Sequence, residues 1–250
     1  MKKVTLVTAS TGGIGKAIGI KFLESGYYVI FNYAHNDNKK EECYNELLSR
    51  GFKTDSFCFI KADMASDEGI DSVVAEVKKI CKDKILTTVV ANLGYSGSKN
   101  RNKFGNISRA EWNNIVNINL AAPFFLVQAM RNYIMEGGNI ILIGSAMGEY
   151  PHSTYIPYGV SKAGVHMLAK MLVKEFKQSN VRVNAIAPNF IMTEEFPGNR
   201  PQEQQESMLD KIASPSFGSV SDVADLCLSI VNNNYLNGQV IGLDGGYCYK

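Results

Sequence analysis

Charge imbalance is nearly missing from this 250-residue chain: 26 lysines and arginines face 24 aspartates and glutamates, for a net charge of +2. There is no basic run and no acidic tail, so no nucleic acid or other polyanion is expected as a partner. Cysteine is sparse and irregular. Cys43, Cys58, Cys81, Cys227 and Cys248 form an odd, widely spaced set with no C-x-x-C. That pattern argues against a disulfide framework and a cysteine zinc site, and suits a reducing cytoplasm. No metal is expected. Long hydrophobic runs are lacking too, and nothing nears the roughly 20 apolar residues of a membrane span. Met1-Lys2-Lys3 has the look of a secretory n-region, but the apolar run behind it stops at Thr8, short of an h-region. No repeat, low-complexity tract or Pro/Gly-rich linker divides the chain, so residues 1–250 are expected to form a single domain.

What the sequence does have is alternation. Short apolar, β-branched runs occur at residues 4–8, 28–33, 57–61, 88–92, 139–145, 182–187 and 239–244. Most are apolar throughout, as strands covered on both faces of a parallel sheet are. Amphipathic stretches lie between them: 14–25 stopped by Gly26, 39–49 stopped by Gly51, and 66–82 with Ser66 as N-cap. Strand–helix alternation implies βαβ units and a doubly wound, seven-stranded parallel sheet with helices on both faces. Ligands of such sheets bind at the carboxyl ends of the strands.

Two local patterns sit where that rule directs attention. The first strand runs into Thr8-Ala9-Ser10-Thr11-Gly12-Gly13-Ile14-Gly15-Lys16, and a helical pattern follows at once. A turn opening a helix offers free N–H groups and a positive dipole end to a pyrophosphate. A tight strand–helix connection that uses glycine only for its conformational freedom would read the same way. The second pattern is Tyr158 and Lys162, four residues apart at the start of a helical segment and so on one helix face. With 12 tyrosines in the chain, such a pair also arises by chance, as at Tyr95 and Lys99 in a glycine- and serine-rich stretch that reads as loop. An unperturbed phenol titrates near pH 10, and a nearby cation lowers that value toward the range useful for proton transfer.

Further segments join these two. They are Lys61-Ala62-Asp63-Met64, Ala91-Asn92-Leu93-Gly94, Asn119 in Asn117-Ile118-Asn119-Leu120, and Ser145 thirteen residues before Tyr158. Residues 184–193, with Pro188 and Thr193, and Asp244-Gly245-Gly246 complete the set. Over almost its whole length the sequence resembles the short-chain dehydrogenase/reductase family. The resemblance implies a single-domain Rossmann fold. It also implies a catalytic set of Asn119, Ser145, Tyr158 and Lys162: Tyr158 as proton donor and acceptor, Ser145 holding the substrate oxygen, Lys162 lowering the phenol pKa and binding ribose, and Asn119 fixing a water that relays protons. It places the nicotinamide cofactor against Thr8, Ser10, Thr11, Gly13, Ile14 and Gly15, against Tyr33, His35 and Asn36, against Asp63, Met64, Asn92 and Gly94, and against Tyr158, Lys162, Pro188, Ile191 and Thr193. A substrate lid is expected at about residues 194–219, a polar stretch with Pro197, Pro201 and Pro215. A homotetramer is implied as well, with apolar residues 120–130 and 240–249 as the sequence's contribution.

The sequence departs from the family in four places. Ala9 replaces the first glycine of the turn, Gly12 stands where NADP-dependent relatives often have arginine, Leu93 replaces a small alanine, and Asn189 replaces the glycine after Pro188. Seven residues beyond Gly26 stands Tyr33, where an NAD-type protein has an acid, and His35, Asn36, Lys39 and Lys40 follow. The missing carboxylate favours NADPH, with NAD left open. Overall the sequence is most similar to 3-oxoacyl-acyl-carrier-protein reductases. An acyl thioester is thus the expected substrate and acyl-carrier protein a candidate partner, with Lys170, Lys174 and Lys177 as a docking patch. Another ketone, a sugar or a pterin stays open as substrate, as does a nicotinamide-binding regulator without turnover.

Overall fold

The computed structural model describes residues 2–82, 84–97, 104–152, 154–194, 196 and 200–247. Strand β1 (Lys2–Val7) leads to helix α1 (Gly13–Glu24), followed by β2 (Tyr28–Tyr33), α2 (Asp37–Ser49), β3 (Phe57–Lys61), α3 (Asp67–Ile80) and β4 (Lys84–Ala91). The second half holds α4 (Arg109–Val116), α5 (Ala122–Met130), β5 (Asn139–Ile143), α6 (Ile156–Glu175), β6 (Arg182–Pro188), β7 (Ile191–Met192), α7 (Gln202–Leu209), β8 (Gly218–Ser219), α8 (Val220–Asn232) and β9 (Val240–Leu243). Seven strands form one parallel sheet in the order β3-β2-β1-β4-β5-β6-β9. The expected doubly wound Rossmann architecture is what the chain adopts.

Alternation along each strand divides the core in two. Leu6 and Ile30 face one layer, with Val73 of α3, Leu126 of α5 and Ala169 of α6. Val7 and Phe31 face the other, with Phe22 of α1, Leu47 of α2 and Cys227 of α8. Both faces are covered, which is why the strands read as continuous apolar runs. β4 begins before the run at 88–92 because Thr87 is skipped in the pairing with β1. The Thr87 hydroxyl donates to the Val4 carbonyl at 3.1 Å, so the bulge keeps its contact with β1.

Among the described residues, four of the eight α-helix starts are closed by side chains. Asn36, Ser66, Ser108 and Ser219 cap α2, α3, α4 and α8, and Ser219 forms a reciprocal box with Asp222. Between α4 and α5 lies one π-helical turn, Asn117–Ala121. β7 and β8 pair in parallel and tie together the base of the excursion that carries α7. Residues 98–100 and 197, part of the second tyrosine–lysine pair and of the expected lid, lie outside the described residues, as do Cys248 and Tyr249 of the apolar tail. Among the described residues no helix is long and apolar enough to cross a membrane.

One buried cation joins the last helix to the sheet. Arg182, at the start of β6, donates to the carbonyls of Ile230, Val231 and Leu236 at 2.7–3.1 Å. These carbonyls belong to the C-terminal end of α8 and the loop after it, where a cation is favoured. Arg182→Leu should lower the urea midpoint of unfolding by the equivalent of about 2–4 kcal/mol, with the slope m unchanged. A loss below about 0.5 kcal/mol, the range of an ordinary surface change, would show that the three bonds do not hold α8 to the sheet.

Candidate active site

β1 and β4 are neighbours at the point where the strand order reverses, and there a doubly wound sheet leaves its crevice. The ends of the two strands are clasped together. The buried Thr8 hydroxyl accepts from Asn92 N–H at 2.9 Å, and the Asn92 amide donates to the carbonyls of Thr8 and Ala9 at 3.3 and 3.1 Å. Ala9 has φ +47°, so this alanine does hold a left-handed conformation, at a cost of about 1 kcal/mol relative to glycine. Asn32 supports it: its Oδ1 accepts from Ala9 N–H at 3.4 Å, and its Nδ2 donates to the Ala62 carbonyl at 2.9 Å. Nothing in the sequence pattern singled Asn32 out. A Cβ at Gly15 would collide with the Ala9 carbonyl and the Asn92 side chain, so the close approach here requires glycine. Gly12 is extended, with open space beside it.

The turn has the features a pyrophosphate needs. α1 starts without a side-chain cap and without an acidic residue in its first turn, unlike the four capped helices. Its leading N–H groups remain for a ligand. Gly13 has φ +50°, and a Cβ there would lie 3.7 Å from Thr193 Cγ2, so the turn and the base of the expected lid meet. A cavity of about 560 Å³ beside them runs outward between α1, α2 and α8, along Lys16, Glu46, Arg50, Glu194 and Asp225, and not into the crevice. Other turn residues face inward. The Ser10 hydroxyl is buried and donates to the Val7 carbonyl at 2.8 Å, leaving Ser10 with little to offer a ligand. Thr11 and Ile14 are half-buried, and Ile14 packs on the core.

The catalytic candidates converge on the ends of β4 and β5. Tyr158 and Lys162 lie one turn apart on α6, with Lys162 Nζ 5.7 Å from the centre of the Tyr158 ring. The buried ammonium donates to the carbonyls of Leu93 and Ile143, each at 2.8 Å. A Cβ on Gly94 would lie 3.7 Å from the same nitrogen. Ser145 follows β5; its Oγ accepts from Met147 N–H at 3.2 Å and lies near enough to the Tyr158 phenol to influence its titration. Asn119 is fully buried in the π-helical turn. Its amide clasps both main-chain groups of Tyr95 at 2.7 and 3.0 Å and donates to Ser161 Oγ at 3.0 Å. The side chain is thus committed to positioning a loop, and none of these bonds goes to Lys162. Leu93, in place of the family's small alanine, packs its side chain on the core.

Electrostatics depart from the sequence expectation. Burial pushes the Tyr158 phenol above its usual range, against a smaller downward pull from Ser145. Burial also pushes Lys162 down, to about 7. The phenol therefore moves up, not down, because desolvation disfavours the charged form of both groups. His166, one turn beyond Lys162, escaped the sequence reading. It is buried, its Nε2 accepts from Ser145 N–H at 3.4 Å, and burial with the charges of Lys162 and Lys170 pushes its pKa down to about 4.

At the outer end of the crevice, His35 Nε2 lies 3.4 Å from Asp63 Oδ2. Tyr33 donates to Asp37 at 3.0 Å, and Lys61 holds the other oxygen of that carboxylate at 2.6 Å. Asn36 spends its side-chain oxygen capping α2. The side chains of Met64 and Ile191 are in the core, leaving only their main chains for a ligand. Pro188 ends β6. The left-handed residue after it is Phe190, φ +43°, rather than Asn189, whose N–H donates to the Leu243 carbonyl at 3.0 Å.

Comparison with known proteins agrees with this geometry. A family model described as enoyl-(acyl carrier protein) reductase matches residues 8–248. A 3-oxoacyl-(acyl-carrier-protein) reductase, FabG, of Staphylococcus aureus is 30% identical over 250 residues, covering 98% of both chains. Glucose 1-dehydrogenase 2 of Bacillus subtilis is 28% identical over 249 residues, covering 98% of this chain and 94% of that protein. The crystal structure of a dehydrogenase/reductase from Sinorhizobium meliloti superposes with a TM-score of 0.89 at 25% identity, covering 98% of this chain and 94% of that one. With the crevice at the strand reversal, the glycine turn and a full-length match to such enzymes, the chain belongs to the short-chain dehydrogenase/reductase family and is a nicotinamide-dependent oxidoreductase.

Proposed function

We propose that the enzyme reduces the ketone of a 3-oxoacyl thioester with NADPH. The observation that carries the chemistry is the meeting of Tyr158, Ser145 and Lys162 at the ends of β4 and β5. A nicotinamide cofactor supplies the hydride. The N–H groups at the start of α1, Asn92, Thr193, Lys162 and Tyr158 would hold it. The protein's part is orientation and proton delivery. Ser145 Oγ donates to the substrate's carbonyl oxygen and keeps it beside the Tyr158 phenol. Burial keeps that phenol protonated, the form a reductase needs. As negative charge develops on the oxygen, Tyr158 releases its proton to it and the alcohol forms. Lys162 then offsets the phenolate charge. Since the Asn119 amide is occupied, its main-chain carbonyl is the group left to hold a relay water. The excursion beyond Thr193, tied at its base by β7 and β8, serves as the lid.

NADPH fits the outer crevice better than NADH. The Asp37 carboxylate is neutralised by Lys61 and accepts from Tyr33, so it repels a 2′-phosphate less, and the Asp63 carboxylate faces His35. Lys61 adds a cation there that the sequence reading did not include. The 3-oxoacyl preference rests on relatives such as the reductase of Staphylococcus aureus, and an acidic carrier would find Lys170, Lys174 and Lys177 exposed. Association into a homotetramer would cover Phe125, Val160, Met167 and Met171, all exposed on α5 and α6.

Two measurements follow. With acetoacetyl-coenzyme A, kcat/KM for NADPH should exceed that for NADH by at least about tenfold, the worth of one charge-assisted hydrogen bond. It should also exceed the values for glucose oxidation and simple ketones. Equal use of NADH would show that the missing carboxylate does not govern cofactor choice, and a preference for glucose would replace the substrate. The second concerns Lys162. Its folded pKa of about 7 lies below the 10.5 of a free lysine side chain, so between those values the unfolded chain binds more protons and stability rises with pH. In cofactor-free protein, Lys162→Met should flatten that rise between pH 7 and 10.5. A wild-type slope unchanged in the variant would mean the ammonium is not desolvated.

A further inference from the structure

Tyr158, Lys162 and His166 occupy successive turns of α6 at four-residue spacing, yet the reaction as derived uses only the first two. His166 is 8% exposed, and it turns inward against the loop that carries Ser145. The loop is shaped for it. A Cβ on Gly144 would collide with His166 Nε2, and one on Gly148 would lie 2.8 Å from its Cε1. These two glycines bracket Ser145, Ala146 and Met147, so the ring seats itself where both ends of the turn lack side chains. The rest of the turn is held by main chain: Gly144 N–H donates to Ile186 O at 2.7 Å and Gly148 N–H to Ser145 O at 2.9 Å. Met147 N–H donates to Ser145 Oγ at 3.2 Å, and Ser145 N–H points at the imidazole.

We propose that His166 is a positioning residue for Ser145: its imidazole, protonated on Nδ1, accepts from Ser145 N–H through Nε2 and fixes the turn that aims the serine hydroxyl. The proposal rests on the carbonyl-reductase reading above. The acceptor role requires an unprotonated Nε2. Burial enforces it, as do the flanking charges of Lys162 and Lys170, which disfavour an imidazolium. The Ser145 hydroxyl keeps its bond to Met147 N–H and its place beside Tyr158, and at 3.4 Å the backbone bond to His166 is long. Losing it should misplace the hydroxyl rather than abolish the site, so the effect falls on turnover and not on cofactor binding.

The test uses the full-length enzyme, NADPH and acetoacetyl-coenzyme A. His166→Leu fills much of the space and accepts nothing, and it should lower kcat about tenfold with the KM for NADPH within about twofold. His166→Gln, whose Oε1 can accept the same bond, should recover most of the loss. Equal kcat in wild type and His166→Leu, or an equal fall in both variants, would overturn the proposal. A second measurement needs neither turnover nor a folded leucine variant. In ¹⁵N-histidine-labelled wild type, which has 3 histidines, the His166 ring is identified by its absence from His166→Gln. It should be protonated on Nδ1 with Nε2 as acceptor. An Nε2-protonated ring overturns the proposal whether or not the thioester is reduced. Lack of turnover by the wild type counts against the substrate reading and leaves the tautomer to decide the role of His166.

Discussion

The Lys162 ammonium sits between the ends of two strands, bonded to the Leu93 carbonyl beyond β4 and the Ile143 carbonyl of β5. Much of the site depends on this. A cation removed from water needs hydrogen-bonding partners, and these two carbonyls take two of its three N–H donors from adjacent strands. The bonds pin α6 across the carboxyl edge of the sheet. Tyr158, one turn earlier, is thereby fixed over that edge, and Ser145, two residues beyond Ile143, lies within reach of the phenol. Position comes at an electrostatic cost: the ammonium that anchors the helix is so desolvated that its pKa falls to about 7.

Around this anchor the backbone is held in conformations that side chains avoid. Ala9, Tyr155 and Phe190 are left-handed, at the turn after β1, the start of α6 and the segment after β6. Ala9 lies in the turn that opens the crevice, and a fourth such residue, Asn180, lies beyond the end of α6. Neighbouring bonds hold them there, as Asn32 and Asn92 do for Ala9, and such localised strain is common where a site must be preorganised. The π-helical turn at Asn117–Ala121 belongs with them, since it turns Asn119 inward to grip Tyr95.

The strands were legible because both faces of the sheet are buried: the runs at 28–33 and 57–61 coincide with β2 and β3. Half of β4 was not, because Lys84 and the bulged Thr87 interrupt its apolar run. The Tyr158–Lys162 pair was legible from helical spacing and from its company of motifs. The direction of its pKa shifts was not, since desolvation is set by atoms from several strands at once. Motif position likewise says nothing about which way a side chain turns, so the inward hydroxyl of Ser10 and the buried side chain of Met64 were unforeseen. For His166 the faint signals were its four-residue spacing from Lys162 and the glycines on either side of residues 145–147.

The central claim is that the Tyr158 phenol delivers the proton, while the turn after β1 and Lys162 supply most of the hold on the cofactor. Tyr158→Phe tests it most directly, with turnover and NADPH affinity measured on the same preparation. The account predicts a fall in kcat of at least about a hundredfold, the usual loss of a general acid, with the Kd for NADPH within about threefold. Tyr95→Phe, at the loop tyrosine, should retain most activity. A Tyr158→Phe enzyme keeping more than about a tenth of wild-type turnover would contradict the assignment, because general acid catalysis is worth more than that.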